Sequence, residues 1–96
     1  MSKFIMHEAI SNRMQELAYE RRKTVTEIAR DGGLKQSTLS EIMNGRSKSP
    51  SLVNILKYCA GCNITLTEFF QSDFFNVIMS KEDIEKDFSK KKAPTN

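Results

Sequence analysis

The chain has little with which to do acid–base, metal or redox chemistry. Its 96 residues include one histidine, His7, two cysteines and four glycines. Two thiols fall short of the four ligands of a structural zinc site. His7 has no Ser–Asp or Cys pattern around it, so it is expected on the surface of the first helix rather than in a catalytic set. No glycine-rich loop could cradle a phosphate, and no paired carboxylates suggest a cleft. An enzyme is therefore not expected, and neither a metal nor a cofactor is called for. No run is long and apolar enough to cross a bilayer, and no charged-then-apolar leader opens the chain. The expectation is a cytoplasmic protein. At this length one domain with a modest core is the limit.

Positive charge is unevenly spread. The formal net charge is +3. Between residues 21 and 48 stand seven basic residues (Arg21, Arg22, Lys23, Arg30, Lys35, Arg46, Lys48) against Glu27, Asp31 and Glu41. From Gln71 onward five lysines balance five acids. A local basic field suits a polyanionic partner.

No segment up to residue 70 alternates with period two, and there is no internal repeat. Helical spacing dominates instead. A first helix is expected over 5–22, with Ile10, Met14 and Leu17 on its apolar stripe and Arg13, Glu16, Glu20 and Arg21 on the other faces. Thr24-Val25-Thr26-Glu27 has the form of a capping box and opens a short second helix with Ile28 and Ala29 inward. Gly33 is suited to the left-handed turn that ends it, and Leu34 follows as an apolar plug. Gln36 to Met43 reads as a third helix with Leu39 and Ile42 inward, closed by Asn44-Gly45, both tolerant of positive φ. Pro50 fits the first turn of a fourth helix, whose expected stripe is Leu52, Ile55, Leu56, Cys59 and Cys62. Asn63 is a candidate left-handed terminus. A second box, Thr65-Leu66-Thr67-Glu68, opens a fifth helix carrying Leu66, Phe69 and Phe70. The expected fold is all-α: a compact five-helix bundle over 5–70, followed by a short extension over 71–96.

Ala29 is small enough to let the third helix cross the second closely, and Gly33 makes the tight turn between them. With Ile28, Leu34, Leu39 and Ile42 filling the angle, Gln36, Ser37, Ser40 and Glu41 are left pointing outward. In this the chain resembles the phage-repressor and Cro type of helix-turn-helix regulator, the xenobiotic response element family. The resemblance runs from about Ile10 to Phe70. It takes in Arg13-Met14, Leu17, Thr24, Ile28-Ala29, Gly33, Gln36-Ser37-Thr38-Leu39-Ser40, Asn44-Gly45-Arg46, Pro50-Ser51-Leu52 and Leu66-Thr67-Glu68-Phe69-Phe70.

The resemblance implies a lambda-repressor-like bundle whose recognition helix, about 36–43, enters the major groove of double-stranded DNA. Gln36 would bond adenine N6 and N7, Ser37 and Ser40 would serve a base or a bridging water, and Glu41 would accept from a cytosine amino group or reject wrong sequences. Thr24, Thr26, Lys35, Thr38, Asn44, Arg46, Ser47 and Lys48 would meet phosphates. Two departures stand out. Val25 replaces a glutamine that often touches phosphate in the family. Ala18 and Met43 replace an Arg–Glu pair, and losing both charges together avoids leaving one buried alone.

Cys59-Ala60-Gly61-Cys62 has redox-motif spacing, but it lies at the end of its helix, where the dipole does not lower a thiol pKa. Buried core cysteines are expected. The tail is more open. Phe74–Met79 suits a short strand or an apolar knot, either folded over the bundle or facing a second copy; the second is favoured, because the five-helix unit already closes its own core, and regulators that read two half-sites about 34 Å apart need two-fold symmetry. Ser80 is a candidate cap for a last helix with Ile84 and Phe88 one turn apart, and Lys90-Lys91-Lys92 reads as a frayed basic end. The reading is thus a homodimeric repressor acting on an operator. The alternative is an antitoxin-like module that grips a partner protein through residues 71–96, with DNA binding secondary.

Overall fold

The computed structural model describes residues 6–47 and 49–88, and every regular element among them is helical, with no strand. The elements run α1 Met6–Glu20, α2 Val25–Gly32, α3 Gln36–Met43, α4 Leu52–Cys62 and α5 Leu66–Phe69, then a 3₁₀ turn over Asp73–Phe75 and α6 Lys81–Phe88. Of the two readings of 74–79, a short strand or an apolar knot, the strand does not form; the segment opens with the 3₁₀ turn, whose Ser72 hydroxyl accepts from the Phe74 N–H.

Capping residues set most boundaries. Thr24 and Glu27 exchange both bonds of their box, the Glu27 N–H reaching the Thr24 hydroxyl at 3.0 Å and the Thr24 N–H reaching Glu27 Oε1 at 2.9 Å. Thr65 and Glu68 repeat the pattern, and Ser80 with Asp83 does so for α6. Each box satisfies amide groups that the first turn leaves without helical partners. Gly33 is left-handed at φ 82 and Asn63 at φ 60, as their positions suggested. The first helix ends two residues earlier than expected, because the chain reverses through Arg22 at φ 57. Asn44 stays right-handed at φ −88, and the left-handed residue after α3 is Gly45 alone. Pro50 lies outside α4, which is capped by the Ser51 hydroxyl accepting from Asn54.

The core is one cluster drawn from α1 to α5: Ile10, Met14, Leu17, Ala18, Ile28, Ala29, Leu34, Leu39, Ile42, Ile55, Tyr58, Cys59, Cys62 and Phe69. Ala18 is buried and Met43 packs against the cluster, so both positions that carry the family's charge pair are apolar and serve the core. Two expectations fail here. Arg13 was placed on an outer face but is buried, its guanidinium donating to the carbonyls of Phe69 and Glu68, both at 2.6 Å, and to Glu16 at 2.7 Å. A cation seated on the last carbonyls of α5 satisfies groups that the helix itself cannot. On α4 the inward side is rotated: Tyr58 is fully buried and donates to the Met14 carbonyl at 2.7 Å, while Leu52 and Leu56 face solvent. Phe70 is likewise partly exposed, though its ring packs edge-on against Phe69 and Phe75. Through Phe75 the start of the extension folds back on the bundle.

The closest backbone approach lies between α2 and α4, at Gly32 and Gly61. A Cβ built on Gly32 would overlap the Lys57 carbonyl, and one on Gly61 would overlap the Ile28 carbonyl. The relation is reciprocal, with each glycine Cα against the other helix's carbonyl, as in paired Cα–H···O contacts.

Candidate nucleic-acid interface

The site begins with how α3 is presented. Leu39 and Ile42 are its buried residues. The opposite side carries Gln36, Ser37, Ser40 and Glu41, all exposed, at spacings of one and four that place them on one face of a 3.6-residue helix. The turn that sets this face is closed by Leu34, whose N–H donates to Ala29 at 2.8 Å while its side chain is buried. Ala29 is fully buried at the crossing.

The residues expected to meet phosphate surround this face at both ends of α3 and at the start of α2. Thr24 and Thr26 are exposed at the α2 N-terminus. The Thr24 hydroxyl accepts within its capping box, which leaves its proton to donate outward. The amides of Val25 and Thr26 belong to the first turn and have no helical partner. Lys35 holds the N-cap position of α3 without a side-chain bond, and Thr38 is half-buried one turn in. At the far end the loop wraps onto the helix. The amides of Arg46 and Ser47 both donate to the Glu41 carbonyl, at 2.9 and 3.0 Å, so contact with a ligand there falls to side chains. Asn44 Nδ2 donates to the Ser40 hydroxyl at 3.1 Å, tying a flanking residue to a face residue. Arg46 is exposed and Ser47 half-buried. Lys48 lies outside the described residues, as does the Lys90-Lys91-Lys92 run.

The basic stretch is only partly aimed at this face. Lys23 pairs with Asp31 at 3.2 Å, and Arg21 donates to the Cys62 carbonyl at 3.1 Å. Lys35 and Arg46 are the cations that bracket α3. Glu41 forms no ion pair among the described residues. The His7 ring is half-buried rather than on the open surface, and lies near Gly45 in the turn after α3. The sequence offered no sign of that contact, nor of Arg13 and the Gly32–Gly61 approach. All three act at a distance in sequence, on the elements that carry the face.

The two cysteines take no part in the face. Both are buried in the last turn of α4. Burial, reinforced by the neighbouring Cys62 sulfur, pushes the Cys59 thiol up to about 11. Burial also raises Cys62, against the lowering pull of Arg21. Neither has the depressed pKa of a reactive thiol.

A helix-turn-helix family model matches residues 15–69. The chain belongs to the Cro- and phage-repressor-type helix-turn-helix family. The match opens inside α1 and closes on Phe69, the last residue of α5, and so covers the elements that hold and present α3. No curated protein and no solved structure matches the chain. As a family member it is a DNA-binding regulator. Among the described residues no helix is long and apolar enough to cross a membrane.

Proposed function

We propose that the chain is a sequence-specific transcriptional repressor that binds a two-fold operator as a homodimer, with α3 in the major groove. Gln36, Ser37, Ser40 and Glu41 read base edges. Thr24, Thr26, Lys35, Thr38, Asn44, Arg46, Ser47 and Lys48 hold phosphates. The observation that carries this reading is the division of α3: four short or planar polar side chains exposed on one face, with Leu39 and Ile42 buried on the other. Such a face can enter a groove about 12 Å wide without moving the core. An organism's own cytoplasm is where such a protein would work.

Selection of bound duplexes from a random-sequence pool tests the reading. Gln36→Ala should then cost about 1–3 kcal/mol at one base pair of the selected site and relax preference there. Arg46→Ala should weaken binding to all sequences alike and reduce the slope of log affinity against log salt by about one unit. Enrichment of no sequence at low salt would refute the proposal. A partner protein held by residues 71–96 is the second reading. What favours it is Ile78, 93% exposed on the segment between the 3₁₀ turn and α6.

A further inference from the structure

Of the four outward residues of α3, Ser40 alone is tied to another side chain among the described residues. Its partner, Asn44, stands one turn further on, and positions four apart are neighbours on a helix surface. Asn44 is held there twice. Its backbone N–H donates to the Ser40 carbonyl at 2.9 Å, and its Nδ2 donates to the Ser40 hydroxyl at 3.1 Å. Both residues are exposed. A helical serine commonly turns its own proton back onto a carbonyl of the preceding turn, as Ser11 does onto Glu8 at 3.2 Å. Among the described residues the Ser40 hydroxyl accepts from Asn44 and donates to nothing.

We infer that Asn44 sets the polarity with which Ser40 reads a base: the hydroxyl becomes a donor, and the base that it meets must present an acceptor. The inference rests on the regulator reading above and specifies one position of its recognition. A serine hydroxyl with no other partner has one proton and two lone pairs, and can serve any base. Here the Asn44 N–H fills one lone pair and polarises the O–H, which strengthens it as a donor. Guanine O6 or N7, adenine N7 and thymine O4 can take that proton, whereas cytosine offers the N4 amino group, another donor. Cytosine would have to approach the second lone pair beside the Asn44 N–H. It would also leave the serine proton without a partner once the interface closes, which is the costly case for a polar group.

The phosphate contact proposed for Asn44 reinforces this arrangement. Phosphate oxygens accept only, so they engage the second Nδ2 hydrogen and keep the nitrogen, not Oδ1, on that side. Asn44 is thus a positioning residue that couples a backbone contact to base reading. Ser37 has no side-chain partner among the described residues and keeps both polarities, which makes it the internal control.

The test measures the affinity of the full chain for a duplex selected from a random pool and for its versions with each base at each pair. Ser40→Ala identifies the pair that Ser40 reads, because preference is levelled there. At that base the wild type should disfavour cytosine by about threefold to tenfold. Asn44→Ala should remove most of the difference. Asn44→Asp should invert it in favour of cytosine, since the carboxylate accepts the serine proton and leaves the hydroxyl oxygen to accept from the base. Repulsion between that carboxylate and phosphate weakens all sequences alike and cancels in the ratio. Neither substitution should change the ratio at the pair read by Ser37, or at Ser40's pair once Ser40 is alanine. Circular dichroism and urea midpoints verify that the variants fold. If both Asn44 variants weaken all sequences by one factor and leave the cytosine ratio intact, Asn44 serves phosphate alone and the inference is overturned, with the regulator reading untouched. A shift that persists in the Ser40→Ala background overturns it too, as does a Ser40→Ala variant that levels no pair. Enrichment of no duplex sinks both.

Discussion

Replacing Gly61 with alanine tests the claim that α2 and α4 are locked by backbone contact. Gly61 lies within α4 and has no positive φ, so its backbone suits alanine. By helix propensity alone the substitution should stabilise the chain by about 1 kcal/mol. The structure predicts the opposite sign. The new Cβ would overlap the Ile28 carbonyl oxygen and stand 3.0 Å from its carbon and 3.1 Å from the Gly32 nitrogen. All three are backbone atoms and cannot rotate aside, so the helices must part. Overpacking of this kind costs about 1–3 kcal/mol. Separation also loosens Ile28, Ala29, Tyr58 and Cys59, which are buried around the crossing, at about 0.8 kcal/mol per methylene-equivalent uncovered. The net expectation is a loss of about 2–3 kcal/mol. For a domain of this size that lowers the melting temperature by about 10–20 °C. Urea denaturation followed by circular dichroism reads it directly. Gly32→Ala should behave alike, and the double variant should cost less than the two losses combined, since one separation accommodates both methyls. Gly33→Ala is the control: its Cβ would meet nothing within 4 Å, and its φ of +82 alone sets the cost, about 1–2 kcal/mol. If Gly61→Ala were as stable as the wild type or more so, the crossing would be looser than described, and the account of how α2 is held would be wrong.

Arg13→Ala should destabilise by about 3 kcal/mol, because it strips charge-assisted bonds from two carbonyls at the end of α5; Glu16→Ala, with its carboxylate partly exposed, should cost under about 1 kcal/mol. Equal losses for the two would show that the ion pair, not the carbonyl clamp, matters. The cysteines predict an alkaline effect. Cys59 keeps its proton in the fold up to about pH 11, whereas an unfolded thiol loses it near 8.5. Between those values the unfolded state binds fewer protons, so stability is complete at neutral pH and falls as pH rises through 9 to 11. The urea midpoint should drop over that window, and a thiol reagent at pH 8 should label Cys59 and Cys62 only as the chain unfolds. Fast labelling of the native protein would contradict their burial.

Local chemistry was the most legible part of this chain. Both Thr–Glu boxes, the left-handed Gly33 and the inward Leu39 and Ile42 could be read from the sequence because each depends on residues within one turn of each other. Where a helix is apolar on nearly every side, periodicity alone cannot say which face is inward. On α4 the choice between Tyr58 and Leu52 or Leu56 is made by α1, whose Met14 carbonyl gives the tyrosine hydroxyl a partner. Arg13 misled for the complementary reason. A guanidinium is expected outside unless fully bonded, and its partners lie 55 and 56 residues away. Asn44 kept an ordinary helical conformation because Gly45, one residue on, takes the positive φ. The four outward residues of α3 were legible, since naming two buried positions on an eight-residue helix leaves few choices for the rest.

These particulars explain how a domain with a small core can hold a helix whose exposed face, proposed above to read DNA, contributes little to stability. α3 adds Leu39, Ile42 and the half-buried Met43 to the core and has no side-chain cap at Lys35, forgoing about 1 kcal/mol that a serine there would supply. Its C-terminus is closed by backbone donors from Asn44, Gly45, Arg46 and Ser47. What fixes its direction is elsewhere: the Gly32–Gly61 contact sets α2 against α4, and Arg13 fastens α1 to the end of α5. Leu34 then ties α3 to α2 through the Ala29 carbonyl and the core. Because none of those anchors uses Gln36, Ser37, Ser40 or Glu41, these four can be replaced while the scaffold that presents them stays the same.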